Sequence, residues 1–126
     1  MVMNRRISAE ISARDEAPRL RDPLRRLVRT ELMHRKPGLN EVAQHFSVHR
    51  RTLNRRLRAE ATHYRDLLNE VRYAIARQLV ADTDIPLAQV SAAVHSSEPA
   101  AFTRAFQRWA GLPPSRLREK HKRLAK

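Results

Sequence analysis

The sequence predicts an all-α fold of about seven helices, forming two helix-turn-helix subdomains joined by a long linker helix. Three observations predict it. The 126 residues include only two glycines, strand-like alternation of β-branched residues is scarce, and Leu, Arg, Ala, Gln and Glu dominate as in helical proteins. The stretch VAQHFSVHRRTLNRRL, Val42 to Leu57, breaks its helical register once. Val42, Ala43 and Phe46 mark one apolar face, Ser47-Val48-His49 interrupt it, and Leu53 and Leu57 resume four residues apart. Two short helices across a tight turn, the second carrying Arg50, Arg51, Asn54, Arg55, Arg56 and Arg58 on its other faces, form a helix-turn-helix pattern. The third observation is an echo of this stretch about 48 residues later.

Taken in order, residues 1–20 are polar, of mixed charge and without period, and read as a mobile arm or linker stub in which Arg5 and Arg6 are available to phosphates. The first subdomain is expected over 21–61. Asp22-Pro23 reads as a helix start, Asp as cap and Pro in the first turn. Leu24, Leu27, Val28 and Leu32 then give a stripe that Lys36-Pro37-Gly38 ends. Asn40 is the expected cap of a short helix over 41–46, and the arginine-rich helix runs from about 50 to 60. The linker, 62–83, holds the longest periodic segment, with Tyr64, Leu67, Leu68, Val71, Ile75 and Leu79 on one face. Twenty helical residues span roughly 30 Å, close to the roughly 34 Å of one turn of B-DNA. Asp82-Thr83-Asp84 and Pro86 terminate it.

The second subdomain, 84–126, repeats the first. LAQVSAAV at 87–94 parallels LNEVAQHF at 39–46, and PAAFTRAFQRW parallels the arginine-rich helix. Phe102 and Phe106 then hold the places of Leu53 and Leu57, and Thr103 and Arg104 those of Asn54 and Arg55. The second turn is one residue longer. Gly111 closes its second helix, and Pro113-Pro114 open a last basic helix over about 115–124.

Composition narrows the partners. The net charge of +13 and a pI near 11.6 attract polyanions, nucleic acid before an anionic membrane. The arginines are spread over helices that need their apolar faces for a core, which argues against a membrane-surface helix. No apolar run approaches the roughly 18 residues of a membrane span. Absence of cysteine excludes disulfides and thiolate metal sites, and the N-terminus lacks a signal-peptide pattern, so the cytoplasm is the expected location. The histidines are scattered: His45 and His49 are four apart, but a turn separates them, so neither a metal nor another cofactor is expected. No phosphate loop, nucleophile elbow or carboxylate pair supports an enzyme.

Residues 24–118 resemble the DNA-binding domain of the AraC/XylS-type transcription regulators. The matching stretches are VAQHFSVHRRTLNRRLRAE, YRDLLNEVRYAIARQLVADTDIPLAQV and FTRAFQRWAGLPPSRLR. The pattern F-x-R-x-F-x-x-W-x-G-x-x-P-x-x-R is carried by Phe102, Arg104, Phe106, Trp109, Gly111, Pro114 and Arg118, the last one place late. The resemblance implies seven helices, two helix-turn-helix units and a long connecting helix, and it alone implies contacts with RNA polymerase. Many members carry an N-terminal effector or dimerisation domain, which residues 1–20 are too short to form. The chain is then a stand-alone monomeric member or the DNA-binding part of a longer regulator. Two departures matter. His95-Ser96 replaces the usual Gly-Phe of the second turn, so His95 must bear about 1 kcal/mol of strain or reshape the turn. Ala61-Thr62-His63 replaces a Gly-Thr-Ser.

Arg51, Asn54 and Arg55 occupy positions that resemble the family's base-contacting ones, and Arg and Asn are bidentate readers of guanine and adenine. Arg55 has bracing of the fold as its alternative. Thr103 and Arg104 are the expected readers of the second unit, where Pro99 and Ala100 offer thymine only apolar contact. Arg50, Arg56, Arg58, Ser97 and Arg108 are assigned to the DNA backbone, Ser97 and its neighbour Glu98 being stronger candidates for helix caps. Trp109 is expected in the core with Phe102 and Phe106. The function expected is sequence-specific reading of double-stranded DNA in adjacent major grooves. The alternatives are a non-specific DNA-organising protein, an RNA-binding protein, or a module whose basic faces bind an acidic protein.

Overall fold

The structure is a computed structural model that describes residues 19–125. Most of the expected N-terminal arm, Arg5 and Arg6 included, lies outside the described residues. Within them are seven helices and no strand: α1 Arg21–Glu31, α2 Leu39–His45, α3 Arg50–Ala59, α4 Tyr64–Asp82, α5 Leu87–Ala93, α6 Pro99–Ala110 and α7 Pro114–Ala125. The turn between α2 and α3 is one residue shorter than that between α5 and α6, as the sequence repeat predicts.

Two apolar cores lie along α4. The first gathers Leu20, Leu24, Val28 and Leu32 with Val42, Ala43, Leu53 and Leu57, and with Tyr64, Leu67, Leu68 and Val71 of α4. Thus α1 packs behind the first helix-turn-helix, and Leu20, counted with the arm from sequence, belongs to this core. The second holds Ala76 and Val80 of α4 with Val90, Val94, Phe102, Phe106 and Leu117. Here the expected single stripe on α4 is corrected. Ile75 and Leu79 are only partly buried, whereas Ala76 and Val80 are fully buried. At about 100° per residue, the face Tyr64–Leu67–Leu68–Val71 and the face Ala76–Val80 point roughly 150° apart. The helix serves two cores on different sides, with Ile75 touching both.

Helix starts also depart from expectation. Asp22 does not cap α1; it pairs with Arg25 at 2.9 Å. The cap comes from Glu60, whose Oε2 and Oε1 accept the backbone N–H groups of Leu20 and Arg21 at 2.7 and 3.2 Å. A carboxylate placed on those orphan donors also meets the positive end of the helix dipole. Asn40 lies inside α2, which starts at Leu39, and Glu41 Oε1 accepts from the Gly38 N–H instead. At α3, His49 Nδ1 accepts the Arg51 N–H. At α6, neither Ser97 nor Glu98 supplies a side-chain cap; Pro99 at the first helical position lowers the number of donors to satisfy.

The C-terminal helix fastens the far end of α4. Arg118 Nε donates to the Val80 carbonyl at 3.0 Å, a cation placed on the negative end of the helix. On the surface beside it, Lys122 Nζ lies 2.9 Å from Asp84. The hydrogen bond from Lys122 holds the Asp84 carboxyl below its ordinary pKa.

Candidate nucleic-acid interface

The arginine-rich helix α3 buries Leu53 and Leu57 completely, which forces its polar residues outward. Arg50, Arg51, Asn54, Arg55, Arg56 and Arg58 are all exposed, and among the described residues none joins an ion pair. Arg50, Arg51, Asn54 and Arg58 converge on one concavity of about 450 Å³, with Leu39 and His63 at its edge. Arg55 and Arg56 lie outside it. Arg55 is exposed and takes part in no side-chain hydrogen bond or ion pair among the described residues. His63 joins this concavity with no sequence signal beyond its position just before the linker helix.

In the second unit, Phe102 and Phe106 are buried at the places of Leu53 and Leu57. Thr103, Arg104 and Ser97 are exposed. Arg108 faces elsewhere. It shares with Lys36, Arg65 and Arg72 a cleft of about 310 Å³ between α4 and α6, lined also by Ser96, Asn69 and Trp109. Trp109 is therefore not a core residue. It is half-buried at the cleft wall, with its ring 5.4 Å from that of Tyr73, while Tyr73 and Phe102 pack on Phe106 at 5.5 and 5.8 Å.

Both turns end their first helix in the same way. Ser47 has φ 57° and His95 φ 61°. Val48 N–H bonds to the Ala43 carbonyl and Ser96 N–H to that of Ser91, the six-to-one bond of a Schellman ending. His95 thus keeps the left-handed conformation expected of a glycine. Its Nε2–H donates to the Leu32 carbonyl at 2.8 Å, across 63 residues of sequence. Arg72 Nε donates to the adjacent Val94 carbonyl at 2.9 Å, and burial pushes the Arg72 guanidinium below its ordinary pKa. The second turn is pinned to α1 and α4 together.

Among the described residues, no group of three His, Asp or Glu is placed to hold a metal ion, and no helix is long and apolar enough to cross a membrane. Two turns of one design, each presenting a polar helix over a buried apolar pair and both mounted on α4, define a double helix-turn-helix DNA-binding domain. A family model described as a helix-turn-helix domain matches residues 42–120, and the chain belongs to this family, in its AraC-type branch. An uncharacterized HTH-type transcriptional regulator of Mycobacterium tuberculosis is 39% identical over 79 residues, covering 63% of this chain and 23% of its own length. The chain spans about a quarter of that relative. An AraC-type DNA-binding domain-containing regulator from Chromobacterium violaceum superposes with a TM-score of 0.77 at 21% identity, covering 86% of this chain and 96% of that one. The DNA-binding domain of AdpA, solved in complex with a target DNA, gives 0.68 at 24% identity over 79% and 93% of the two chains.

Proposed function

We propose that this chain is the DNA-reading part of a transcription regulator, binding double-stranded DNA sequence-specifically through two adjacent major grooves. The observation that carries the reading is the convergence of Arg50, Arg51, Asn54 and Arg58 on one exposed concavity of α3. Guanidinium and carboxamide groups are the bidentate readers of purine edges, and the flanking cations suit phosphates. In this reading, residues 21–61 and 84–126 are the two reading subdomains and 62–83 the linker. Arg51, Asn54 and Arg55 face bases in the first groove; Thr103 and Arg104 face them in the second. Arg50, Arg56, Arg58, Ser97 and Arg108 hold the backbone. The nineteen residues of α4 span roughly 28 Å, near one turn of duplex, so one chain covers about 20 bp. The protein then acts in the cytoplasm, where RNA polymerase is the partner that the family resemblance supplies.

Selection from a random duplex pool at about 150 mM salt tests the reading, because non-specific binding weakens steeply there. Two enriched blocks about one helical turn apart support it. Asn54→Ala is expected to cost on the order of 1–3 kcal/mol on the selected site and to relax preference at one base pair. Equal loss on random duplex would assign Asn54 to the backbone. No enriched sequence would leave the non-specific, DNA-organising alternative.

A further inference from the structure

The cleft between the two reading units has a lining of unusual charge. Lys36 comes from the loop after α1, Arg65 and Arg72 from α4, and Arg108 from α6, with Asn69, Ser96 and Trp109 between them. None of its lining residues is acidic, and among the described residues none of the four cations joins an ion pair. Four like charges around about 310 Å³ repel one another, and Arg72 bears a desolvation cost as well. An anion in the cleft would relieve that repulsion.

The turn beside the cleft is fixed in place. His95 bonded to the Leu32 carbonyl and Arg72 to the Val94 carbonyl tie it to the end of α1 and to α4. A comparison within the chain shows why it is not filled. In the first unit, the residue after the left-handed turn position is Val48, which packs on the first core. Its counterpart in the second unit is Ser96, which lines the cleft.

Its position indicates the anion. Arg65 follows by two residues His63, which edges the concavity of Arg51 and Asn54; Ser96 lies in the turn that leads into α6. The cleft thus sits between the two reading elements, where a strand leaving one major groove crosses to the next. We propose that it is a preformed phosphate site, in which Lys36, Arg65 and Arg108 take the phosphodiester backbone between the two major-groove blocks. This rests on the reading given under Proposed function and adds to it a contact region between the two major-groove blocks, in which Lys36 and Arg65, which lie outside both recognition helices, join Arg108 of α6.

The chain holds a single tryptophan, and it lines this cleft, so its emission reports occupancy. The experiment compares the full chain with Lys36→Gln, Arg65→Gln, Arg108→Gln, their triple combination, and Arg29→Gln as a control on exposed α1 surface outside the cleft. Affinity for random duplex is measured across a salt series, with tryptophan emission and the far-ultraviolet helical signal recorded. Each cleft variant is expected to lower the slope of log K against log salt by about 0.9, the triple variant by about 2–3, and Arg29→Gln not at all. The duplex-induced change in Trp109 emission is expected in the parent and lost in the triple variant. Ethylation interference on a selected site then places the affected phosphates between the blocks. Unchanged slopes in folded cleft variants would overturn the proposal, as would interference confined to the blocks. A Trp109 response to adenosine monophosphate at micromolar concentration, with no response to duplex, would mark a small-anion site and overturn it too. Because slopes are read on random duplex, failure to select any sequence would defeat the specific-regulator reading and leave the slope test of the cleft separate.

Discussion

At the residue scale, the chain places three non-glycine residues in the left-handed region: Ser47, Ala61 and His95, at φ 57°, 60° and 61°. All three end a helix with the same bond pattern, since Thr62 N–H reaches the Leu57 carbonyl as Val48 and Ser96 reach theirs. Each bears a steric cost of roughly 1–2 kcal/mol that glycine avoids. Ala61 is exposed, and its methyl group has no bonding role to lose. Ala61→Gly is therefore expected to stabilise by about 0.5–1 kcal/mol, the relief being partly offset by the freer unfolded chain. A urea midpoint that falls would show that the left-handed backbone at Ala61 is not strained. Tyr64 presents the opposite case, a well-satisfied residue. Its hydroxyl donates to the buried Pro37 carbonyl at 2.7 Å, and burial, aided by Glu41, raises its pKa to about 12. A phenol harder to ionise when folded contributes stability that is fully present below pH 10 and lost as pH rises toward 12. Tyr64→Phe is expected to cost about 1 kcal/mol at pH 7 and to flatten the alkaline part of the stability curve. Parallel pH profiles of parent and variant between pH 10 and 12 would refute the assignment.

At the element scale, the helices themselves were legible because each segment agrees in propensity, period and termination. What sequence order concealed was where the caps come from. Asp22 and Asn40 have the right chemistry in nearly the right place, yet the donors at the start of α1 are met by Glu60, about 40 residues away. Propensity is local, whereas a carboxylate delivered by a neighbouring helix depends on the tertiary fold. Glu60 ends α3, so one side chain ties the arginine-rich helix to the helix behind it. Glu60→Ala is expected to destabilise by about 1–2 kcal/mol, through lost charge-assisted bonds and two exposed donors. Hydrogen exchange should locate the effect: amides in the first turn of α1 should exchange faster than those of α4. Uniform acceleration over both helices would mean that Glu60 supports the whole core rather than this cap.

At the scale of the whole molecule, the sequence conveyed two units and a connecting helix but not their angle. A single apolar stripe from Tyr64 to Leu79 predicts two units on one side of α4; the observed change from Val71 to Ala76 and Val80 sets the second core on another side. Small residues such as Ala76 give a weak periodic signal, so the rotation was not legible. For the same reason Trp109 reads as core from its spacing, although the rotated cores leave it at the wall between them. The exposed polar face of α3 was legible because Leu53 and Leu57 fix the buried side; the cleft was not, since its cations come from three separate segments. His95 is where this angle is fastened. Its imidazole bonds the Leu32 carbonyl of the first unit, at the cost of a left-handed backbone. His95→Gly removes both the strain and the bond, each about 1 kcal/mol, so stability is expected to change little. Spacing selectivity should change instead. With duplexes whose two blocks are moved apart or together by one base pair, the parent is expected to discriminate, and the variant to discriminate roughly fivefold less, the factor that about 1 kcal/mol represents. Affinity for a duplex carrying the first block alone should be the same for both. A variant that is equally stable and equally strict about spacing would show that α4 alone sets the geometry, and that the bond to Leu32 contributes nothing to how the two units are held on DNA.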